Sequence, residues 1–233
     1  MSKQKGSIKK FLYKYKHAIL ILYLPVYMIW FLALENRKNV VFTDIHCIVD
    51  DWIPFNEVFI IPYLLWFLYV AVSLIFLFFQ TKHLDDFYRC TATLLLGMTT
   101  CLFIYTIFPN AQTMRPTEFS RDNIFTQIIT ILYQADTDTN VCPSIHVYNS
   151  IAIHVGLTNS YRLKNKRGWK LVSFVLCVLI CLSTMFLKQH SFVDVVCALL
   201  LYTVYYAVIY KPFAGRERKK CPQVSGDSAD CRS

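Results

Sequence analysis

Two short polar motifs contain the residues whose types and spacing could do chemistry. One is the sequence CPSIH at residues 142–146, and the other contains Lys188, His190 and Asp194. Both lie at the ends of apolar segments, where titratable side chains are costly and tend to be kept for function. Histidine can act as a nucleophile or a general acid, and cations stabilise phosphate oxygens. Together these residue types indicate phosphoryl transfer at a membrane surface.

Long apolar runs are the elements that must position these motifs. The chain has 233 residues, of which 55% are hydrophobic, and a helix of ~20 apolar residues crosses a ~30 Å hydrocarbon core. We therefore predict an all-α integral membrane bundle of six transmembrane helices, the first being a retained signal anchor. The six runs cover residues 18–34, 58–79, 90–108, 141–158, 171–187 and 195–210.

The net charge of +9 fits an orientation signal better than binding to nucleic acid. In a six-span topology all but five of the 24 lysines and arginines fall on one side, and the positive-inside rule makes that side cytoplasmic. We predict that both termini are cytoplasmic: a basic segment at 1–16, the membrane domain at 17–211, and a basic, disordered tail at 212–233. The expected location is the plasma membrane of a bacterium.

This topology brings three separate segments to the outer face. The third span ends near Phe108 and is followed by Arg115, the fourth begins at the 142–146 motif, and the fifth ends just before Lys188. Charge bias alone does not force this convergence, so it supports an extracytoplasmic site.

The expected catalytic group consists of His190, Asp194 and His146. His190 is a candidate nucleophile, and Asp194 would share its face of a helix and hold one ring nitrogen. His146 could protonate the leaving oxygen. Ser191 and Asp194 also have the spacing of a capping box, a role that is compatible with the catalytic one.

The expected phosphate-binding residues are Arg115, Ser144 and Lys188. Arg115 can form two hydrogen bonds to phosphate and Lys188 can add a point charge. Ser144 would lie at a helix N-terminus, whose free N–H groups suit an anion; Ser144 as a simple N-cap, with Asn140 as a competitor, is the alternative.

Other polar residues are open to simpler interpretations. Two histidines and an aspartate could bind zinc, but nearby cations oppose a metal ion, so we predict no metal and no cofactor. Cys47 and Cys142 are expected to be thiols, with a disulfide as the alternative. Asp50 and Asp51, in the first outer loop, are expected to be structural, with binding of an acceptor headgroup as the alternative. Residues 124–133 predict a short amphipathic helix at the membrane interface.

At these residues the chain resembles the type 2 phosphatidic acid phosphatase superfamily. Residues 143–146 match its P-S-x-H motif, and Ser183, His190 and Asp194 match its S-R-x5-H-x3-D motif. Arg115 and Pro116 match the end of its K-x6-R-P motif. The resemblance covers about residues 50–210. It implies a six-helix membrane fold and metal-independent catalysis through a phosphohistidine, with the roles given above.

Two departures from the family motifs bear on the reaction. Phe108 and Thr184 stand where the motifs have lysine and arginine, and Lys188 could replace one of the missing cations. With the sequence D-x-I-P-F from Asp51 to Phe55 upstream and Lys188-Gln189-His190 downstream, this pattern resembles the branch that includes inositol phosphorylceramide synthases. Our first prediction is a lipid phosphatase that acts on a phosphorylated lipid at the outer leaflet. Its expected partners are this substrate and the surrounding membrane lipids. The alternatives are a lipid phosphotransferase and a catalytically inactive scaffold or transporter. The sequence does not fix the oligomeric state.

Overall fold

The structure, a computed structural model, describes residues 16–80 and 83–212. In these ranges the chain forms eight α-helices and one pair of short parallel strands. The basic segment predicted before residue 16 and the tail from residue 213 lie outside the described residues. The α-helices are α1 (Tyr23–Glu35), α2 (Ile48–Trp52), α3 (Ile60–Phe78), α4 (Leu84–Ile107), α5 (Ile124–Ala135), α6 (Ile145–Asn159), α7 (Arg167–Phe186) and α8 (Phe192–Ile209). The strands are β1 (Thr43–Asp44) and β2 (Asn110–Ala111).

Within the described ranges, five helices are long and apolar enough to cross a membrane. They correspond to five of the six predicted spans, and they support a multi-pass integral membrane protein. Two of them include a 3₁₀ turn, at Lys16–Leu22 before α1 and at Glu57–Phe59 before α3. The five are His17–Glu35, Glu57–Phe78, Leu84–Ile107, Arg167–Phe186 and Phe192–Ile209.

The remaining predicted span, the fourth in chain order, corresponds to α6, which is shorter than the apolar run that predicted it. The helix has 15 residues and is therefore ~22 Å long at 1.5 Å per residue. The run at 141–158 counted residues before Ser144 as helical, whereas Ser144 is the N-cap and the chain before it is a loop. Six spans and cytoplasmic termini stay predictions.

The short helix α6 lies at the centre of the bundle, packed against α3, α4, α7 and α8. Its buried side chains include Val147, Tyr148 and Ile153. Such burial on several faces is expected of an apolar helix that contacts other helices rather than lipid. Tyr148 crosses Gly97 of α4 so closely that a Cβ on Gly97 would lie 1.9 Å from the tyrosine ring.

One end of the bundle, which we call the site end, gathers the loops that carry the polar motifs. Asn110 of β2 is buried there, and its side-chain oxygen accepts hydrogen bonds of 2.8 Å from the N–H groups of both Val141 and Cys142. This contact fixes the chain that enters α6. The amphipathic helix expected at 124–133 is α5, and its buried Ile129 packs with Ile60.

Candidate active site

The turn between α7 and α8 and the first turn of α6 bring two histidines together. His190 Nδ1 lies 3.2 Å from Asp194 Oδ2, and His190 Nε2 lies 3.4 Å from His146 Nδ1. Both His190 and Asp194 are buried. The separation of four residues places Asp194 beside His190 at the start of α8, as the spacing predicts.

Asp194 has two hydrogen-bonding functions in this turn. Its Oδ2 atom accepts a 2.9 Å hydrogen bond from the Ser191 N–H, and Ser191 Oγ accepts one of 3.1 Å from the Val193 N–H. Ser191 and Asp194 form the capping box at the start of α8, of which the Asp194 contact is one half. The capping role and the contact with His190 therefore coexist in one carboxylate.

The structure places Ser144 at the N-cap of α6. Its hydroxyl oxygen accepts a 3.3 Å hydrogen bond from the Val147 N–H, and its own N–H donates to the Asp194 carbonyl oxygen. The competing candidate, Asn140, instead bonds to Glu35 and Arg37. Ser144 thus joins the start of α6 to the start of α8, which holds the two histidines in a fixed relation.

Lys188 is close to His190 in sequence, but its side chain lies elsewhere. Its Nζ atom donates to the carbonyl oxygens of Asp50 and Ile53, at 2.7 and 2.6 Å. Burial lowers the pKa of Lys188, and the charges of Asp50 and Asp51 oppose this effect. The structure therefore places this cation on the loop that contains α2.

Arg115 reaches the site through a neighbour of His190. Its Nη1 atom donates to the Tyr133 carbonyl oxygen at 3.2 Å, and Nη2 donates to the Thr137 carbonyl oxygen at 2.7 Å. Nη2 also donates to Gln189 Oε1. The guanidinium lies 4.6 Å from the centre of the Tyr133 ring, a cation–π contact. Arg115 is thus held mainly by protein groups.

A cavity of about 290 Å³ opens beside the two histidines. His146 and His190 line it, and α1 and α3 contribute a largely aromatic wall. At this wall Met28 and Phe67 are well exposed on the surface of the bundle. The lining residues of the described chain include no lysine or arginine. The aromatic members are Tyr27, Phe31, Trp66, Phe67 and Tyr105, and the polar members besides the histidines are Asp136, Thr137, Thr139, Asn140 and Gln189.

Sequence reasoning predicted no catalytic or phosphate-binding role for three polar residues in or behind this cavity. Asp136 lines the cavity and accepts a 2.6 Å hydrogen bond from the hydroxyl of buried Tyr63, whose ring contacts His146. Gln189 lines it beside His190. Asp50 lies behind the turn that carries His190, and its carboxylate accepts a hydrogen bond from Ser191 Oγ. Asp50 had a signal in the acidic pair at 50–51, for which a structural role was expected, and Gln189 belonged to the Lys188-Gln189-His190 pattern without a role of its own.

The described structure also bears on the possible disulfide and on the possible metal site. Cys47 and Cys142 are free thiols. Within residues 16–80 and 83–212, no group of three or more His, Cys, Asp and Glu side chains has an arrangement suited to a metal ion.

Comparison with known proteins gives one match. The family model of the PAP2 superfamily matches residues 112–218, a range that includes Arg115, His146, His190 and Asp194. No curated protein and no solved structure was found to match the chain. The resemblance to the type 2 phosphatidic acid phosphatase superfamily is therefore confirmed, and residues 112–218 are assigned to the PAP2 superfamily.

Proposed function

We propose that the chain is a membrane lipid phosphatase that hydrolyses a phosphate ester or diphosphate of a lipid through a phosphohistidine intermediate. The observation that carries this proposal is the pairing of the two histidines in one cavity. Asp194 is bonded to one nitrogen of His190, and the other nitrogen faces His146. A nucleophile held by an orienting carboxylate and placed next to a second acid–base group is the arrangement that covalent phosphoryl transfer needs.

The first chemical step forms a bond between His190 Nε2 and phosphorus. Asp194 accepts a hydrogen bond from Nδ1–H, so Nε2 keeps its lone pair for the attack. The bond from phosphorus to the lipid oxygen breaks, and protonated His146 gives its proton to that oxygen. The first turn of α6 supplies N–H groups and the positive end of a helix dipole for the phosphate oxygens.

The second step reverses these roles. Neutral His146 takes a proton from a water molecule, whose oxygen attacks phosphorus and displaces His190 Nε2. Inorganic phosphate leaves, His190 recovers its lone pair and His146 is protonated again. No metal ion takes part in either step of this proposal.

The shape of the cavity supports a lipid as the substrate. Its aromatic wall from α1 and α3 continues to residues that are exposed on the bundle surface, Met28 and Phe67. Between apolar helices such an opening faces hydrocarbon, so a lipid chain can lie there while its phosphate reaches the histidines. The charge distribution favours a site at the extracytoplasmic leaflet, and a bacterial plasma membrane stays the expected location.

A lipid phosphotransferase is the second candidate, and it is favoured because the described residues that line the cavity include no lysine or arginine. A phosphate monoester carries up to two negative charges, whereas a phosphodiester carries one. Phe108 and Thr184 replace two cations of the family motifs, and the Lys188 side chain binds carbonyl oxygens of the loop that contains α2. A singly charged phosphodiester donor with an alcohol as the acceptor in the second step would suit this site.

The test supplies purified full-length protein in detergent with phosphorylated lipids, with and without a lipid that carries an alcohol. Free phosphate and lipid products are measured together, and His190→Ala is the control. Phosphate release that depends on His190 supports the phosphatase, and headgroup transfer that depends on both His190 and the acceptor supports the phosphotransferase. If every activity of the protein survives His190→Ala, the mechanism is wrong and the result favours the alternative of an inactive scaffold or a transporter.

A further inference from the structure

We propose that the side-chain amide of Gln189 is a phosphate-binding donor beside the nucleophile, and that Arg115 orients it. This inference rests on the proposed function, and it adds a residue that the family motifs do not contain. Arg115 acts here as a positioning residue, because its Nη1 and Nη2 groups donate to protein oxygens and it does not line the cavity.

The orientation of the Gln189 amide follows from the chemistry of its partner. A 180° rotation of a glutamine amide exchanges its oxygen and nitrogen with almost no change of shape, so the nitrogen must be assigned from its hydrogen bonds. Arg115 Nη2 contacts one end of the amide, and a guanidinium can only donate. The end that faces Arg115 must therefore be the oxygen, and Nε2 must be the opposite end.

The Nε2 group has no hydrogen-bond partner within the described chain, although Gln189 is only 2% exposed. Buried donors without partners are rare in native proteins, and each one calls for an explanation such as a ligand. Gln112 provides the contrast. It is also buried, but its nitrogen donates to the Lys188 carbonyl oxygen and its oxygen accepts from the Met114 N–H.

The position of Gln189 identifies the ligand. It precedes His190 and lines the cavity that both histidines line. Trp66, whose ring centre is 4.4 Å from that of His146, has a second buried N–H without a partner in the described structure, and it lines the same cavity. Unpaired donors in residues next to each histidine suit an acceptor-rich group between them, and phosphate is that group in the proposed reaction.

The other candidates for this role are engaged elsewhere. The Lys188 ammonium binds two backbone carbonyl oxygens, and the Ser144 hydroxyl caps α6. A neutral amide can stabilise phosphate without introducing positive charge, which agrees with a cavity wall without lysine or arginine. A preorganised neutral donor of this kind is typically worth ~100- to 1,000-fold in turnover.

Gln189→Glu separates this role from a merely structural one. Glutamate keeps an oxygen for Arg115 and turns the contact into an ion pair, but it replaces the donor by an acceptor. A residue that only held Arg115 would tolerate this change. A phosphate donor would not, so we expect orthovanadate binding and turnover to fall by ~100-fold or more.

The experiment uses the full-length protein in detergent and measures orthovanadate binding, His190-dependent turnover and the melting temperature. Gln127→Glu, at an exposed position of α5, matches the change of charge and should behave like the unmodified chain. Gln189→Met removes the donor without adding charge, so it is measured beside the glutamate variant to show that a loss in both does not come from charge repulsion. It stands alone if the glutamate variant does not fold.

The outcomes separate the two proposals. Weaker orthovanadate binding at an unchanged melting temperature supports the role of Gln189. If Gln189→Glu binds orthovanadate and turns over like the unmodified protein, the inference is wrong and the proposed function stands. If the unmodified protein neither binds orthovanadate nor shows turnover that depends on His190, both are wrong.

Discussion

Asp50 anchors the turn that carries His190, and its replacement by asparagine is the sharpest test of how this turn is held. The buried carboxylate of Asp50 accepts hydrogen bonds from Ser191 Oγ at 2.6 Å, the Phe192 N–H at 2.7 Å and the Cys47 N–H at 2.9 Å. It thus joins α2 to the first residues of α8. Asparagine has nearly the same shape, but it offers one oxygen instead of two.

The expected cost of Asp50→Asn can be worked out from these contacts. The new NH₂ group must face at least one buried donor, which removes a charge-assisted hydrogen bond worth ~1.5–3 kcal/mol. The lost negative charge near the N-terminus of α8 adds ~0.3–1 kcal/mol. We expect the free energy of unfolding to fall by about 2–4 kcal/mol, and a ~1 Å shift of His190 would lower turnover on the order of 100-fold.

The neighbouring residue provides a matched control. The Asp51 side chain is 62% exposed and contacts His46, so Asp51→Asn should cost less than ~1 kcal/mol. Both variants would be compared by the free energy of unfolding in detergent and by turnover. Equal losses in the two variants would refute the assignment of Asp50 as the anchor.

The pH dependence of the Asp50 contribution provides an independent check. Burial alone would raise the pKa of Asp50, but the hydrogen bonds from Ser191, Phe192 and Cys47 outweigh it and lower the pKa below its usual 3.8. A carboxyl group with a lowered pKa stabilises the fold above its unfolded pKa and loses this effect as the pH falls through the folded value. The stability difference between the unmodified protein and Asp50→Asn should therefore be constant near neutral pH and shrink only below about pH 4.

Three further predictions concern packing, orientation and metal dependence. Gly97→Ala should lower the free energy of unfolding by ~1–3 kcal/mol or more, because its Cβ would overlap Tyr148, whereas Gly168→Ala, with nothing within 4 Å, should leave the unfolding transition unshifted or slightly higher. An impermeant thiol reagent added outside intact cells should label a cysteine introduced at Arg121 but not one at Lys166, and the reverse pattern would invert the topology. Turnover should survive treatment with a chelator, and a loss that zinc restores would instead favour a metal site.

The positions of the catalytic candidates could be predicted because each depends on a regular element. An interval of four residues at a helix start sets His190 beside Asp194, and the order of the apolar runs brings His146 to the same end. The same information does not determine how irregular backbone directs a side chain. Lys188 lies in an irregular turn with a positive φ of 51°, and its side chain contacts the loop that contains α2. No spacing rule predicts that contact, and the phosphate role of Lys188 stays a prediction.

Two other features depend on long-range packing. The apolar run at 141–158 has the composition of a span, but composition cannot show that its first residues are held by Asn110 as a loop. Likewise, the unpaired donor of Gln189 exists only because Arg115 approaches the opposite end of the amide. Such contacts between distant segments have no periodic signature in the sequence.

The cavity wall formed by α1 determines how this chain can be divided. Tyr27, Met28 and Phe31 of that wall and the anchor Asp50 all lie outside residues 112–218. A fragment cut at the limits of the recognisable motifs would carry both histidines, yet one side of the cavity would be open and the turn before α8 would lack its support. The smallest autonomous unit is thus larger than the motif region, and chimaeras that exchange N-terminal halves between relatives should exchange substrate preference as well.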